Sequence, residues 1–329
     1  MKQPKVTLVV AARNEEANIE ACLRSLAAQD YDPALLEVLV VDGESSDRTR
    51  ERAEAAVGRR PGWRLLDNPR RIQAVSWNLG IREATGDVLG IVSGHAELAP
   101  DYVSQAVETL RRTGAAMVGG PVTALTDGPI SAAIGAAMAS PFGVGGARHH
   151  YLTTEAETDT VFMGVATSET YRANPFDEEM VRNQDDELSY RLIDAGHVIV
   201  CNPAIRSRYR VRSSIAALAR QYWAYGYWKV AVLARHPRRA KARHLLPALV
   251  VGGIAVIGPL ALVSGSARAL LLAGSLPYVA IDAALATRQA REKGAASGLA
   301  LSVAFPAMHV SYGAGFVRGL WDAWRRRRS

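Results

Sequence analysis

Residues 36–49, LEVLVVDGESSDRT, carry the pattern that decides the fold. The run from Leu36 to Val41 is short, continuous and rich in Leu and Val, as in a strand covered on both faces. Asp42-Gly43 ends it with turn chemistry, and a helix is expected behind the polar residues. The same reading holds upstream, where KVTLVVAA at 5–12 stops at the polar RNEE and Ile19, Cys22, Leu23 and Leu26 follow at helical spacing. Downstream it recurs as WRLLDNP at 63–69, a helix containing Asn78, and DVLGIVSGH at 87–95. Strands alternating with helices predict an α/β fold, a mostly parallel sheet with helices on both faces. Ligands of such sheets bind outside the carboxyl ends of the strands. Those ends are Arg13-Asn14-Glu15, Asp42-Gly43-Glu44 and Ser93-Gly94-His95, so a polar cluster collects where a nucleotide is expected. No GxGxxG follows the first strand and no GxxxxGKS or GxxxxGKT occurs, which weighs against a dinucleotide dehydrogenase or a P-loop nucleotidase.

The charge of the 329-residue chain is unevenly spread. Residues 1–202 hold 19 Lys and Arg against 29 Asp and Glu, and residues 203–329 hold 20 against three, leaving about −10 and about +17. The mean hydropathy near zero therefore averages two differently solvated regions. Two cysteines, Cys22 and Cys201, are too few for a disulfide framework and stand in no metal-ligand spacing. The N-terminal stretch MKQPKVTLVVAARNEE lacks the pattern of a signal peptide, so the acidic region is expected to stay in the cytoplasm.

Residues 245–263, LLPALVVGGIAVIGPLALV, run without a charge, close to the ~20 residues a helix needs to cross hydrocarbon. Residues 269–287 follow as a second candidate and complete a helical hairpin. A third apolar stretch, 299–317, contains Pro306 and His309 and precedes Arg325–Arg328. Lys and Arg favour the cytoplasmic side, and a third full crossing would put that tail outside. A re-entrant or interfacial third segment, broken near Pro306, is expected instead. Between the regions, residues 213–244 hold apolar or aromatic residues at 215, 218, 222, 225, 232 and 233, which is helical spacing, with five aromatics in seven residues (Tyr222, Trp223, Tyr225, Tyr227 and Trp228) and then RHPRRAKARH. Two readings stand open for this helix: one at an anionic membrane surface, and one packed on the catalytic core. The basic stretch borders apolar spans and accompanies no nucleic-acid-binding motif, so nucleic acid is not an expected partner. The expected organisation is a catalytic domain at 1–212, an interfacial region at 213–244 and a membrane domain at 245–329.

VTLVVAARNEE, VVDGESSDRT, NPRRIQAVSWNLGIREATGDVLGIVSG and FDEEMVRNQDDELSYRL, in this order and spacing, resemble the family 2 glycosyltransferases of GT-A fold. The NQDDEL stretch, RQYWAYG and HVSYGAGFVRG further resemble the membrane-anchored succinoglycan-type subgroup, which adds sugars to lipid-linked intermediates. The resemblance implies an inverting transferase that takes a nucleotide-diphosphate sugar to a lipid-linked saccharide, held in the inner membrane with its catalytic domain cytoplasmic. It assigns Glu15 and Asp42 to the nucleoside, and Arg71, Asn78 and Ser93 to the rest of the donor. Asp185 falls at the position of the general base, with Gln184 where the family has an acid. Asp177 and, on the later helix, Gln221, Tyr222 and Trp223 are placed toward the acceptor or membrane side. The family's Asp-x-Asp metal motif is Ser93-Gly94-His95 here, so His95 becomes the candidate ligand of an Mn²⁺ or Mg²⁺ ion. Two rivals remain: transfer to a polyprenyl phosphate, which needs no base, and a catalytically inactive membrane scaffold. A processive synthase is disfavoured because RQYWAY departs from QxxRW.

Overall fold

The computed structural model describes residues 3–326 and residue 328. Met1 and Lys2, at the start of the stretch read for a signal peptide, and Arg327 of the basic tail lie outside the described residues. The chain forms two compact units, one of Met1–Thr123 with Arg148–Arg210, the other of Ala124–Ala147 with Val211–Ser329. The excursion of residues 124–147 into the second unit had no signal in the sequence.

The first unit starts with β1 (Val6–Ala12), α1 (Ile19–Ala27), β2 (Leu36–Asp42), α2 (Thr49–Val57), β3 (Trp63–Asp67), α3 (Gln73–Glu83) and β4 (Val88–Ser93). It continues through β5 (Ala96–Leu98), α4 (Tyr102–Thr113) and β6 (Met117–Gly120), and β7 (Val122–Leu125) leads out of it. In the second unit α5 (Pro129–Met138) and α6 (Pro141–Val144) follow. The chain then returns with β8 (Ala156–Glu157), β9 (Phe162–Thr167), α7 (Ser168–Ala173), α8 (Gln184–Asp194), β10 (Ile199–Cys201) and β11 (Ser207–Arg210).

Eight strands form one sheet in the order β3-β2-β1-β4-β9-β6-β10-β8, in which only β8 and β9 run against the rest. The alternation along β1 explains why both faces are covered. Val6, Leu8 and Val10 enter one core with Ile19, Leu23 and Leu26 of α1 and Tyr102 and Val103 of α4. Val9 and Ala11 enter the other with Trp77 and Ile81 of α3 and Leu188 and Leu192 of α8. Each such Val or Leu contributes roughly 1.5–3 kcal/mol by leaving water, the main return for ordering the strands. On the second face α3 lies so close that a Cβ on Gly80 would fall 2.1 Å from Val9 Cγ1.

The rest of the second unit is helical: α9 (Ile215–Arg235), α10 (Ala242–Ala261), α11 (Gly265–Lys293) and α12 (Ala295–Arg326). The last three are long and apolar enough to cross a membrane. α12 is one continuous helix through Pro306, so the break expected there does not occur. Proline removes a single hydrogen bond, and side chains buried on either side, Phe305 and Met308, hold the helix against its neighbours. α9 packs on α12 through Leu218, Tyr222, Gly226 and Val230. A Cβ on Gly315 would lie 2.0 Å from the Trp223 carbonyl and one on Gly319 2.7 Å from that of Tyr227, so these two helices run parallel at close range.

Candidate active site

The strand register delivers the predicted cluster. Ala12 of β1 lies opposite Asp42, and Ala11 lies opposite Ser93, so the ends of β1, β2 and β4 sit side by side. The loops beyond β1 and β2 are sewn together. Ser45 donates through its backbone N–H and its hydroxyl to Asp42, at 3.1 and 2.5 Å. The Ser45 hydroxyl accepts from the Asn14 N–H, and Asn14 Oδ1 accepts from the Ser46 N–H. Asp47 accepts from the Glu16 N–H and from both donors of Thr49, whose hydroxyl accepts from the Glu15 N–H. Partial burial works against the charged form of Asp47, but the hydrogen bonds from Thr49 and Glu16 outweigh it and hold the carboxyl below the ordinary range. Reading DGESSDRT for Asp42 alone overlooked Ser45, Asp47 and Thr49; their density of short acceptors was the available signal.

Glu15 and His95 meet, with His95 Nδ1 2.7 Å from Glu15 Oε1, and the second carboxylate oxygen accepts from Asn18 at 2.8 Å. The His95 ring also packs on Tyr209 of β11, with centroids 5.4 Å apart. Beneath this turn the Cys22 thiol is pushed up to about 12, by burial first and by Glu15 second, which leaves no reactive thiolate at the site. Among the described residues no group of three or more His, Cys, Asp or Glu side chains could hold a metal ion.

Asp185 lies in the first turn of α8, half-buried, with its Oδ1 accepting from the Asp186 N–H at 2.9 Å. Helix N-termini favour ionised carboxylates. The buried Glu187 is committed elsewhere, to a two-pronged ion pair with Arg191, which also donates to the Pro175 carbonyl. Gln184, one residue before Asp185, donates to Gln73 Oε1 at 3.0 Å, and Gln73 Nε2 points to Ser93 Oγ at 3.4 Å. A chain of amides thus joins the α8 turn to the Ser93 turn. Gln73 was not singled out in the sequence, because an isolated Gln has no spacing signature.

Arg71 and Asn78 are occupied within the protein. Arg71 pairs with Glu44 at 2.6 Å. Asn78 donates to the Phe176 carbonyl at 2.8 Å and accepts from the Phe176 N–H at 2.9 Å, so its buried amide brackets the segment before α8 where a donor contact was expected. Asp177 accepts from the Glu179 N–H and shapes the next turn of that segment. Asn14, Glu44, Arg71 and Asn183 all have positive φ without being glycine; Asn14 and Glu44 lie just beyond β1 and β2, Arg71 just before α3 and Asn183 just before α8. Such backbone costs of order 1–3 kcal/mol per residue and persists where surrounding structure over-determines it.

In the second unit, Gln221 bridges Arg212 and Tyr225, Tyr222 is buried, and Trp223 is exposed and stacked on Tyr227.

The sheet with helices on both faces carries acidic, hydroxyl and imidazole groups at its carboxyl end, where such sheets bind ligands, and its fold is GT-A. Residues 7–168 match the family described as glycosyl transferase family 2, and the chain belongs to the family 2 glycosyltransferases. It is 29% identical to the succinoglycan biosynthesis protein ExoA of Rhizobium meliloti over 97% of this chain and 96% of that one. It is also 28% identical to the dolichyl N-acetyl-α-D-glucosaminyl phosphate 3-β-D-2,3-diacetamido-2,3-dideoxy-β-D-glucuronosyltransferase of Methanococcus voltae, over 67% and 71% of the two chains. The fold is shared with the mannosyltransferase PcManGT of Pyrobaculum calidifontis, solved with GDP-Man and Mn²⁺, at a TM-score of 0.68 and 22% identity over 98% of this chain and 88% of that one.

Proposed function

We propose that this family 2 glycosyltransferase moves a sugar from a nucleotide-diphosphate sugar to a hydroxyl of a lipid-linked saccharide, with inversion, in cell-surface or exopolysaccharide synthesis. The observation that carries the reading is the joining of Ser93 and Asp185 through Gln73 and Gln184, which sets a donor-side turn beside a carboxylate suited to take a proton. Asp42 and Glu15 bind the nucleoside, Arg71 exchanges Glu44 for donor phosphate, and Ser93 lies against the diphosphate. Asp185 accepts the proton of the attacking hydroxyl as that oxygen bonds to the anomeric carbon and the nucleoside diphosphate is displaced in line. Asp177 serves the acceptor, and Gln221, Tyr222 and Trp223 of the second unit serve the membrane side.

The donor set fits an ion that arrives with the diphosphate rather than one held by protein alone. Glu15 at His95 Nδ1 fixes the ring so that Nε2 is free to ligate, the arrangement by which carboxylates orient metal-binding imidazoles. A divalent cation held there would neutralise charge on the departing nucleoside diphosphate. The acceptor class is supported by the names of two relatives, one a succinoglycan protein and one a transferase to a dolichyl-linked sugar. A sugar hydroxyl needs a base, which favours this acceptor over a bare polyprenyl phosphate. The catalytic region faces the cytoplasm, because RHPRRAKARH and RQAREK, which flank the first two spans on its side, are basic.

The test has two stages. Nucleotide sugars are screened for protection against thermal unfolding, and the protective donor is then offered to membranes containing lipid-linked saccharides. Asp185→Asn is expected to keep the protection and lose about 10²- to 10⁴-fold in transfer. Undiminished transfer would point to a phosphate acceptor, and absence of any donor protection or transfer to an inactive scaffold.

A further inference from the structure

We infer that Gln73 and Gln184 are positioning residues that register the base-bearing turn of α8 against the Ser93-Gly94-His95 turn; the inference rests on the proposed role of Asp185. Three observations bear on it. Gln184 is 3% exposed, so its amide has no water to fall back on and depends on Gln73 Oε1 at 3.0 Å. The two residues stand 111 positions apart, on α3 and on α8, so their bond fixes elements that no local hydrogen bond connects. Asn183, just before Gln184, holds a left-handed φ of 60°, so the chain enters α8 through a non-helical turn.

The choice of amides has a chemical reason. Gln73 must accept from Gln184 and present a donor to Ser93 Oγ, 3.4 Å away, at the same time. A primary amide does both, whereas a carboxylate only accepts and an ammonium only donates. The opposite end of α8 is braced separately, by Arg191 on the Pro175 carbonyl at 2.7 Å. The amide pair therefore governs the first turn, where Asp185 sits, and leaves the body of the helix to the Glu187–Arg191 pair and the apolar core. A displacement of about 1 Å at a reacting group can cost 10²-fold in rate, so a bond that sets this one distance acts on turnover rather than on donor affinity.

The experiment uses the full-length protein in detergent or membranes with its protective donor and a lipid-linked acceptor. Gln73→Met keeps the length of the side chain and removes both polar atoms. It is expected to lower kcat about 10- to 100-fold while the donor Kd, read from thermal protection, stays within about threefold and Tm within a few degrees. Gln184→Met should do the same, and the double variant should be no slower than the slower single variant, because either change already breaks the bond. Gln73→Glu keeps an acceptor for Gln184, and the Ser93 hydroxyl can turn and donate to it, but charge is added beside the diphosphate, so kcat should recover while the donor KM rises. A kcat within twofold of wild type in Gln73→Met, or losses that multiply in the double variant, would overturn the inference. If Gln73→Met does not fold, Gln73→Glu decides alone: kcat within about threefold of wild type supports positioning, and a collapse of kcat refutes it. Asp185→Asn separates the two readings. If it retains full transfer, the base assignment fails by itself. If it is slow, adding Gln73→Met to it should cost no more than about twofold, and a full further loss would show that Gln73 does not act through Asp185.

Discussion

The sheet of the first unit and helices α10 and α11 of the second are built from the same residues, Val, Leu, Ile and Ala, yet they treat them in opposite ways. Val9, Val10, Leu39 and Val40 are fully buried, whereas Leu249 and Val256 of α10 and Leu272 and Leu276 of α11 are 61–69% exposed. A change of solvent would account for the difference, since both helices are long and apolar enough to cross a membrane. In water an apolar side chain gains only by being covered, so a strand needs a helix on each face. In hydrocarbon the same side chain is already at home, and a helix that satisfies its own backbone polar groups needs no cover.

The sharpest way to break this contrast is to place a charge in each region. Leu39→Asp should abolish folding of the first unit, since an unpaired buried carboxylate costs several kcal/mol against a total stability of about 5–15. Leu249→Asp should leave donor protection intact and reduce retention in the membrane fraction. Protease resistance of the first unit reads the former and carbonate extraction the latter. Equal damage from both would mean that α10 is a water-facing or core helix.

The glycines sharpen the comparison inside the second unit. Gly315→Val should cost about 1–3 kcal/mol, seen as a lowered Tm, because its Cβ would enter the Trp223 carbonyl. Gly253→Val should be close to neutral, for nothing lies within 4 Å of a Cβ there. A reversal of that order would show that α9 and α12 do not pack as seen.

Acid should act on the first unit through Asp47. Its folded pKa is depressed, so its contribution is complete above the unfolded value of about 3.9 and is lost as the pH falls through the lower folded one. Asp47→Ala should lose about 1–2 kcal/mol at pH 7 and approach wild type as the pH falls below the folded pKa. Thermal unfolding across that range checks it, and a constant gap at every pH would deny the linkage.

The smallest effect is expected at the exposed aromatic face of α9. Trp223→Ser should lower transfer to a long-chain lipid acceptor a few-fold and to a short soluble one hardly at all. Equal losses would assign Trp223 to folding, through its stacking on Tyr227.

The strands, the two-faced sheet and the positions of Asp42, Ser93 and His95 were legible because each depends on neighbours in sequence: an apolar run, a turn pair, a periodic helix. The partners of Asn78 and the continuity at Pro306 were not legible, for the opposite reason. The resemblance placed Asn78 near the donor, and only the approach of Phe176, 98 residues away, shows its amide already taken. Proline in isolation predicts a break, and only the packing of Phe305 and Met308 shows why the helix continues.

By itself, then, the sequence determined the alternation of strands and helices, the acidic and basic halves, the apolar helices and the family, all set by patterns within a few turns of chain. The tertiary structure decided which polar groups meet: Glu15 with His95, Gln184 with Gln73, Arg71 with Glu44, and residues 124–147 with the second unit. Hydrogen bonds and ion pairs depend on distances of about 3 Å. Such distances between remote residues are set only once the sheet has closed and the helices have packed, because no local pattern records them.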